Sequence, residues 1–106
     1  LTKLLRSTLE RTRDGESTIN DEVTLLRAYL DIQKTRMQDR LSYSINVQSE
    51  CELLTLAPLL LQPLVENAII HGIEPAESGG EVVINILFEE DELLSMQLFI
   101  KDYVDS

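Results

Sequence analysis

Leu59-Leu60-Leu61-Gln62-Pro63-Leu64-Val65-Glu66-Asn67-Ala68-Ile69-Ile70-His71-Gly72 reads as one helix, and its reading decides the fold. At about 100° per residue, Leu60, Leu61, Leu64, Val65, Ala68 and Ile69 form one broad apolar stripe, which should pack on strand faces. Asn67 and His71 are four residues apart and stack on one edge of that stripe. Glu66 lies about a quarter turn away, beside Asn67. Gly72 reads as the exit from the helix. Pro58 suits the first turn. Pro63 falls where proline costs stability, so either the helix begins close to Pro63 or its first turn is irregular.

The polar residues on this border have a shared chemical use. An amide oxygen such as that of Asn67 is a hard, neutral ligand suited to Mg²⁺. A carboxylate such as Glu66 can orient a water, take a proton or join a metal shell. The imidazole of His71 can donate to a phosphate oxygen. A plain structural reading fits as well: Glu66 as an exposed helix residue, Asn67 as a buried amide, His71 as a C-terminal cation and Gly72 as a cap. Spacing leaves both open.

Outward from this helix, Leu41, Tyr43, Ile45 and Val47 alternate with Ser42, Ser44 and Asn46, the pattern of a half-buried strand. After Gly79-Gly80, Val82, Ile84, Ile86 and Phe88 mark one strand, and Leu94, Met96, Leu98 and Ile100 a second. Glu89-Glu90-Asp91-Glu92 joins them as a solvated hairpin turn rather than a metal site. A helix is expected over about 21–39, with Val23, Leu26, Leu30 and Met37 on one face, widened by Tyr29 and Ile32. Thr24 or Asn20 would cap its start, and Lys34, Arg36 and Arg40 would complement its dipole. Residues 14–20 read as a polar connection. Leu1, Leu4, Leu5 and Leu9 share one helical face, so residues 1–13 read as a short amphipathic helix. The order helix, helix, strand, helix, strand, strand points to an α+β layer, with helices on one face of a mixed, largely antiparallel sheet.

The chain of 106 residues suits one domain, and its 43% hydrophobic content supports a core built from Leu, Ile and Val without any tryptophan. A net charge of −10 argues against nucleic acid or an anionic membrane surface as partner. A nucleotide remains compatible where Mg²⁺ and backbone donors screen its phosphates. Cys51 is the only cysteine, reads as a reduced thiol and fits a cytoplasmic setting. No apolar run approaches the roughly 20 residues of a membrane span, and no signal peptide is visible. A first residue other than Met, and an end at Asp102-Tyr103-Val104-Asp105-Ser106 just after an apolar alternation, read as a piece of a longer protein.

The run Leu61-Gln62-Pro63-Leu64-Val65-Glu66-Asn67-Ala68-Ile69-Ile70-His71-Gly72 resembles the N-box of sensor histidine kinases, above all the autolysin-regulator-like (LytS-type) subfamily. Tyr29-Leu30-Asp31-Ile32-Gln33-Lys34-Thr35-Arg36-Met37 is similar to that subfamily's YLxIQKxRF segment. Leu1-Thr2-Lys3-Leu4-Leu5-Arg6 resembles the end of its dimerisation helix pair, and Val23-Thr24-Leu25 the entry to the next helix.

The resemblance implies a partial GHKL ATPase fold, an α/β sandwich in which Mg-ATP binds between a sheet and its helices. It implies the end of a dimerisation helix over 1–13 and part of an ATP-binding catalytic domain over 14–106. Asn67 would ligate Mg²⁺, Glu66 would position metal, water or a proton, and His71 would contact phosphate or ribose at the helix end, next to Gly72. The γ-phosphate would pass to a histidine upstream of residue 1 and then to a response regulator. The parent protein would be a homodimer through its helix pair, a membrane-bound sensor whose membrane segments lie outside this chain. The expected adenine-reading loop, D-x-G-x-G, falls at Lys101-Asp102-Tyr103-Val104-Asp105-Ser106, where Asp102 is in place and the glycines are missing. Close backbone approach to phosphates needs such glycines, so this piece is expected to bind Mg-ATP weakly or not at all. The alternative is a degenerate, non-catalytic interaction or dimerisation module on a GHKL-like scaffold.

Overall fold

The alternating stretches form the strands expected of them. The computed structural model describes residues 2–12, 17–56, 59–90 and 93–103. Along the chain these give β1 (Thr2–Thr8), β2 (Ser17–Thr18), α1 (Ile19–Met37), β3 (Leu41–Val47), β4 (Thr55–Leu56), α2 (Gln62–Ala68), β5 (Gly80–Phe88) and β6 (Leu94–Asp102). Short 3-10 turns follow α1 at Gln38–Arg40 and follow β3 at Ser49–Cys51. The main sheet has the order β1-β6-β5-β3. β3 runs parallel to β5, while β5–β6 and β6–β1 are antiparallel. β2 and β4 form a separate antiparallel pair.

Period-two patterning puts Val82, Ile84 and Ile86 of β5, Leu94, Met96, Leu98 and Ile100 of β6, and Leu41 and Ile45 of β3 on one buried face. Both helices cover that face. α1 contributes Ile19, Val23, Leu26, Leu30 and Met37, and α2 with its two flanking residues contributes Leu61, Val65, Ala68 and Ile69 from the apolar stripe. The fold is α+β, helices on one face of a mixed sheet, as the element order implied. The β5–β6 connection is closed by Glu89 N donating to Leu93 O (2.8 Å), and Glu89 accepts from Ser95 Oγ (2.9 Å) and Gln97 Nε2 (3.2 Å). Asp91 and Glu92 of the acidic turn lie outside the described residues, as do Arg13 to Glu16 and Pro58.

Three expectations are corrected. Thr2–Thr8 is a strand and not a helix. A helix that short is marginal in water, whereas the outer edge of β6 offers a seven-residue ladder for its backbone groups. α1 starts two residues earlier than expected, and Thr18 caps it in place of Thr24 or Asn20. Asp21 N donates to Thr18 Oγ1 (3.1 Å) and Thr18 N to Asp21 Oδ2 (3.3 Å), a reciprocal box. Ile32 is 66% exposed and does not widen the apolar face, although Tyr29 packs against the core.

Gly79 is fixed by geometry. Its φ is +79°, and an added Cβ would lie 1.8 Å from the Arg40 carbonyl oxygen. Only glycine lets the chain pass this close to the end of α1 before β5 begins.

Candidate functional site

Pro63 sits in the first turn of α2, so the helix begins beside it and the proline costs no ladder hydrogen bond. The entry is built by groups outside α2. Leu59 has φ of 58°, a left-handed conformation unusual for leucine. Leu60 N then donates to Glu22 Oε1 (2.9 Å), while Glu22 Oε2 accepts from Ser17 Oγ (3.2 Å). Glu22 is only 4% exposed on α1. Its carboxylate therefore joins β2, α1 and the start of α2.

α2 does not end at Gly72. It widens after Ala68 into a π-helical turn, Ile69–Ile73, closed by Glu74 N donating to Ile69 O (2.9 Å). Such turns are frequent at functional sites. Ile69 and Ile73 are buried, while Ile70 and His71 face solvent. Gly72 is thus not the helix cap. An added Cβ there would meet Ile100 Cγ2 at 3.0 Å, so Gly72 instead permits close approach of the turn to β6. Arg40 secures the segment that follows, donating to Glu74 O (3.1 Å) and Ala76 O (3.0 Å).

Asn67, His71, Gly72 and Asp102 line one cavity of about 470 Å³, with Ala68 and Ile100 as apolar lining. Lys3 and Leu5 of β1 complete it. The volume lies within the range of small-molecule sites. Asn67 and His71 are exposed, and Asp102 is half-buried at the end of β6. Polar groups thus ring an apolar floor, because the helix layer stops short of β1.

Glu66 is not part of that lining. Its carboxylate accepts from Gln62 Nε2 (2.9 Å) and is half-buried. It lies on the α1 side: burial raises the Tyr29 pKa above its ordinary value, and the charges of Glu66 and Glu74 raise it further against the opposing Arg36. The structure thus gathers Asn67, His71, Gly72 and Asp102 around one cavity and leaves Glu66 outside it, and the sequence reading did not single out Lys3, Leu5 or Glu22. A helical reading of residues 1–13 hid the first two. Glu22 falls on the buried stripe of α1, three residues after Ile19 and four before Leu26, but its charge argues for exposure.

Among the described residues no group of three His, Cys, Asp or Glu is placed to hold a metal. Among the described residues no helix is long and apolar enough to cross a membrane.

The family pattern described as histidine kinase matches residues 1–41. The chain is 36% identical over 88 residues to the sensor histidine kinase YpdA of Escherichia coli, covering 81% of this chain and 15% of that protein. It is 36% identical over 86 residues to the sensor protein LytS of Oceanobacillus iheyensis, 81% of this chain and 15% of that protein. It is 29% identical over 89 residues to a Staphylococcus aureus sensor histidine kinase/phosphatase LytS, 84% of this chain and 15% of that protein. The chain therefore spans a small part of the length of these relatives. These matches show that the chain belongs to the sensor histidine kinases, in their LytS-type branch.

Proposed function

We propose that this chain forms one wall of the Mg-ATP site of a two-component sensor histidine kinase, within a partial GHKL fold whose α2 segment is its N-box. The carrying observation is the convergence of Asn67, His71 and Gly72 from α2 and its π turn with Asp102 from β6 around one cavity. Asn67 presents its amide oxygen, a hard neutral ligand, to Mg²⁺ from the cavity wall. His71 donates to phosphate or ribose from the exposed side of the π turn. Asp102 accepts from the adenine amino group at the end of β6. Gly72 keeps the turn close to Ile100, which leaves the floor flat for a base or sugar. Glu66 positions a water or proton once its carboxylate exchanges Gln62 for the site.

In the longer protein, bound ATP supplies the γ-phosphate to a histidine, and the phosphoryl group passes to an aspartate on a response regulator. That protein works as a homodimer through a helix pair and reaches the membrane through segments outside these 106 residues. The piece itself binds Mg-ATP weakly, because the glycines expected after Asp102 are missing. A complete site saturated about 100-fold would be stabilised by about 2.7 kcal/mol. The 106-residue chain should show far less on a thermal melt with Mg-ATP. At high nucleotide concentration, amide shifts should fall on Asn67, His71, Gly72 and Asp102, and Asn67→Ala should remove their Mg²⁺ dependence. Shifts clustered elsewhere, or unaltered by Asn67→Ala, would contradict the reading.

A further inference from the structure

β1 is a poorly fitted strand. Its register sets Lys3 opposite Ile100, Leu5 opposite Leu98 and Ser7 opposite Met96. The β6 residues on that side are 1% to 5% exposed, yet two of their three β1 partners are polar. Leu4 faces the uncovered side of the sheet, and Leu4 and Leu5 are 43% and 40% exposed. From Lys3 to Thr8 only Ser7 is even half-buried. The leucine spacing is that of a helix face, so the sequence does not favour the extended form. Backbone pairing is the main tie between β1 and β6.

That tie is secured at one end. Leu9 is 4% exposed, and Leu9 N donates to Leu94 O (2.8 Å). Arg11 bridges to Leu56, and Thr12 N donates to Thr55 O (2.9 Å). The other end pairs Thr2 with Lys101, beside Asp102, and carries the two cavity residues Lys3 and Leu5. We propose that Thr2–Thr8 is a displaceable strap, hinged at Leu9, that closes the candidate cavity as a strand and opens it by peeling from β6 at the Asp102 end. Peeling removes the Lys3–Leu5 wall and leaves the α2 wall and the floor in place.

Hydrogen exchange resolves this residue by residue and needs no nucleotide, so its outcome is independent of the Mg-ATP reading. Because Leu9 N meets Leu94 O, antiparallel alternation points the amides of Met96, Leu98 and Ile100 at β1, and those of Ser95, Gln97 and Phe99 at β5. In the 106-residue chain the first set should exchange at least about tenfold faster than the second, Ile100 fastest and Met96 slowest. Arg6 and Gln97 form a non-hydrogen-bonded pair, whose Cα separation of about 4.5 Å suits a disulfide. Oxidising the Arg6→Cys, Gln97→Cys double variant should abolish the difference, and reduction should restore it. Equal protection of the two sets, indifference to the disulfide, or failure of the disulfide to form would each overturn the proposal.

Discussion

Replacing Glu22 with alanine removes a buried carboxylate that ties the start of α2 to α1 and β2. Two donors lose their acceptor, Leu60 N at 2.9 Å and Ser17 Oγ at 3.2 Å. Hydrogen bonds to a charged group contribute about 1.5–3 kcal/mol each, and a buried donor left unpaired costs about 1–3 kcal/mol. Ser17 can rotate its hydroxyl toward another acceptor, so the larger loss falls on the Leu60 amide, which cannot turn without shifting the backbone. Together these place the cost at about 3 kcal/mol. For a domain of this size each kcal/mol shifts Tm by about 4–8 °C, so the melt should fall by roughly 15 °C. Glu22→Gln keeps an acceptor for Leu60 and should cost only about 1 kcal/mol, the difference between a charge-assisted and a neutral bond. Urea unfolding with an unchanged m-value reads both variants on one scale. In Glu22→Ala, amide shifts should also spread from Leu60 to Asn67. A loss below about 1 kcal/mol in the alanine variant, or equal losses for alanine and glutamine, would mean that the Glu22 carboxylate does not hold the start of α2.

Two further expectations concern stability. Gly79→Ala must place a Cβ against the Arg40 carbonyl at a φ of +79°, so it should cost at least about 3 kcal/mol and show as an early urea midpoint. Burial and the hydrogen bond to Asp31 hold the Tyr43 pKa above its ordinary 10.0. The unfolded state then ionises first, so this contribution is intact below pH 10 and is lost as pH rises through the folded pKa. Tyr43→Phe should flatten the alkaline decline in a series of melts against pH, and an unchanged decline would count against the Asp31 contact.

Much of the fold was legible because it rests on local periodicity. The apolar alternations of 41–47, 82–88 and 94–100 each became a strand with the expected face buried, and the stripe on α2 covers them. Spacing put Asn67 and His71 on one helix edge, whereas Asp102 joined them only through the family resemblance; the structure lines one cavity with all three. Other features depend on partners distant in sequence. Thr2–Thr8 became a strand through the free edge of β6, against its own helical spacing. Glu22 is buried because Leu60, 38 residues away, needs an acceptor. The π turn at Ile69–Ile73 adds one residue to the ladder, which no period-3.6 reading anticipates, and it changes Gly72 from a cap into a contact with Ile100. The Thr18–Asp21 box was a missed feature with a plain local signal, a Thr followed three residues later by a carboxylate.

If the cavity beside α2 belongs to a kinase's Mg-ATP site, phosphate incorporation in the longer protein that carries this segment depends on Asn67. With γ-labelled ATP and Mg²⁺, Asn67→Ala should abolish autophosphorylation, while its urea midpoint stays close to that of the unaltered protein because Asn67 is exposed. Phosphate incorporation undiminished by Asn67→Ala would contradict the account.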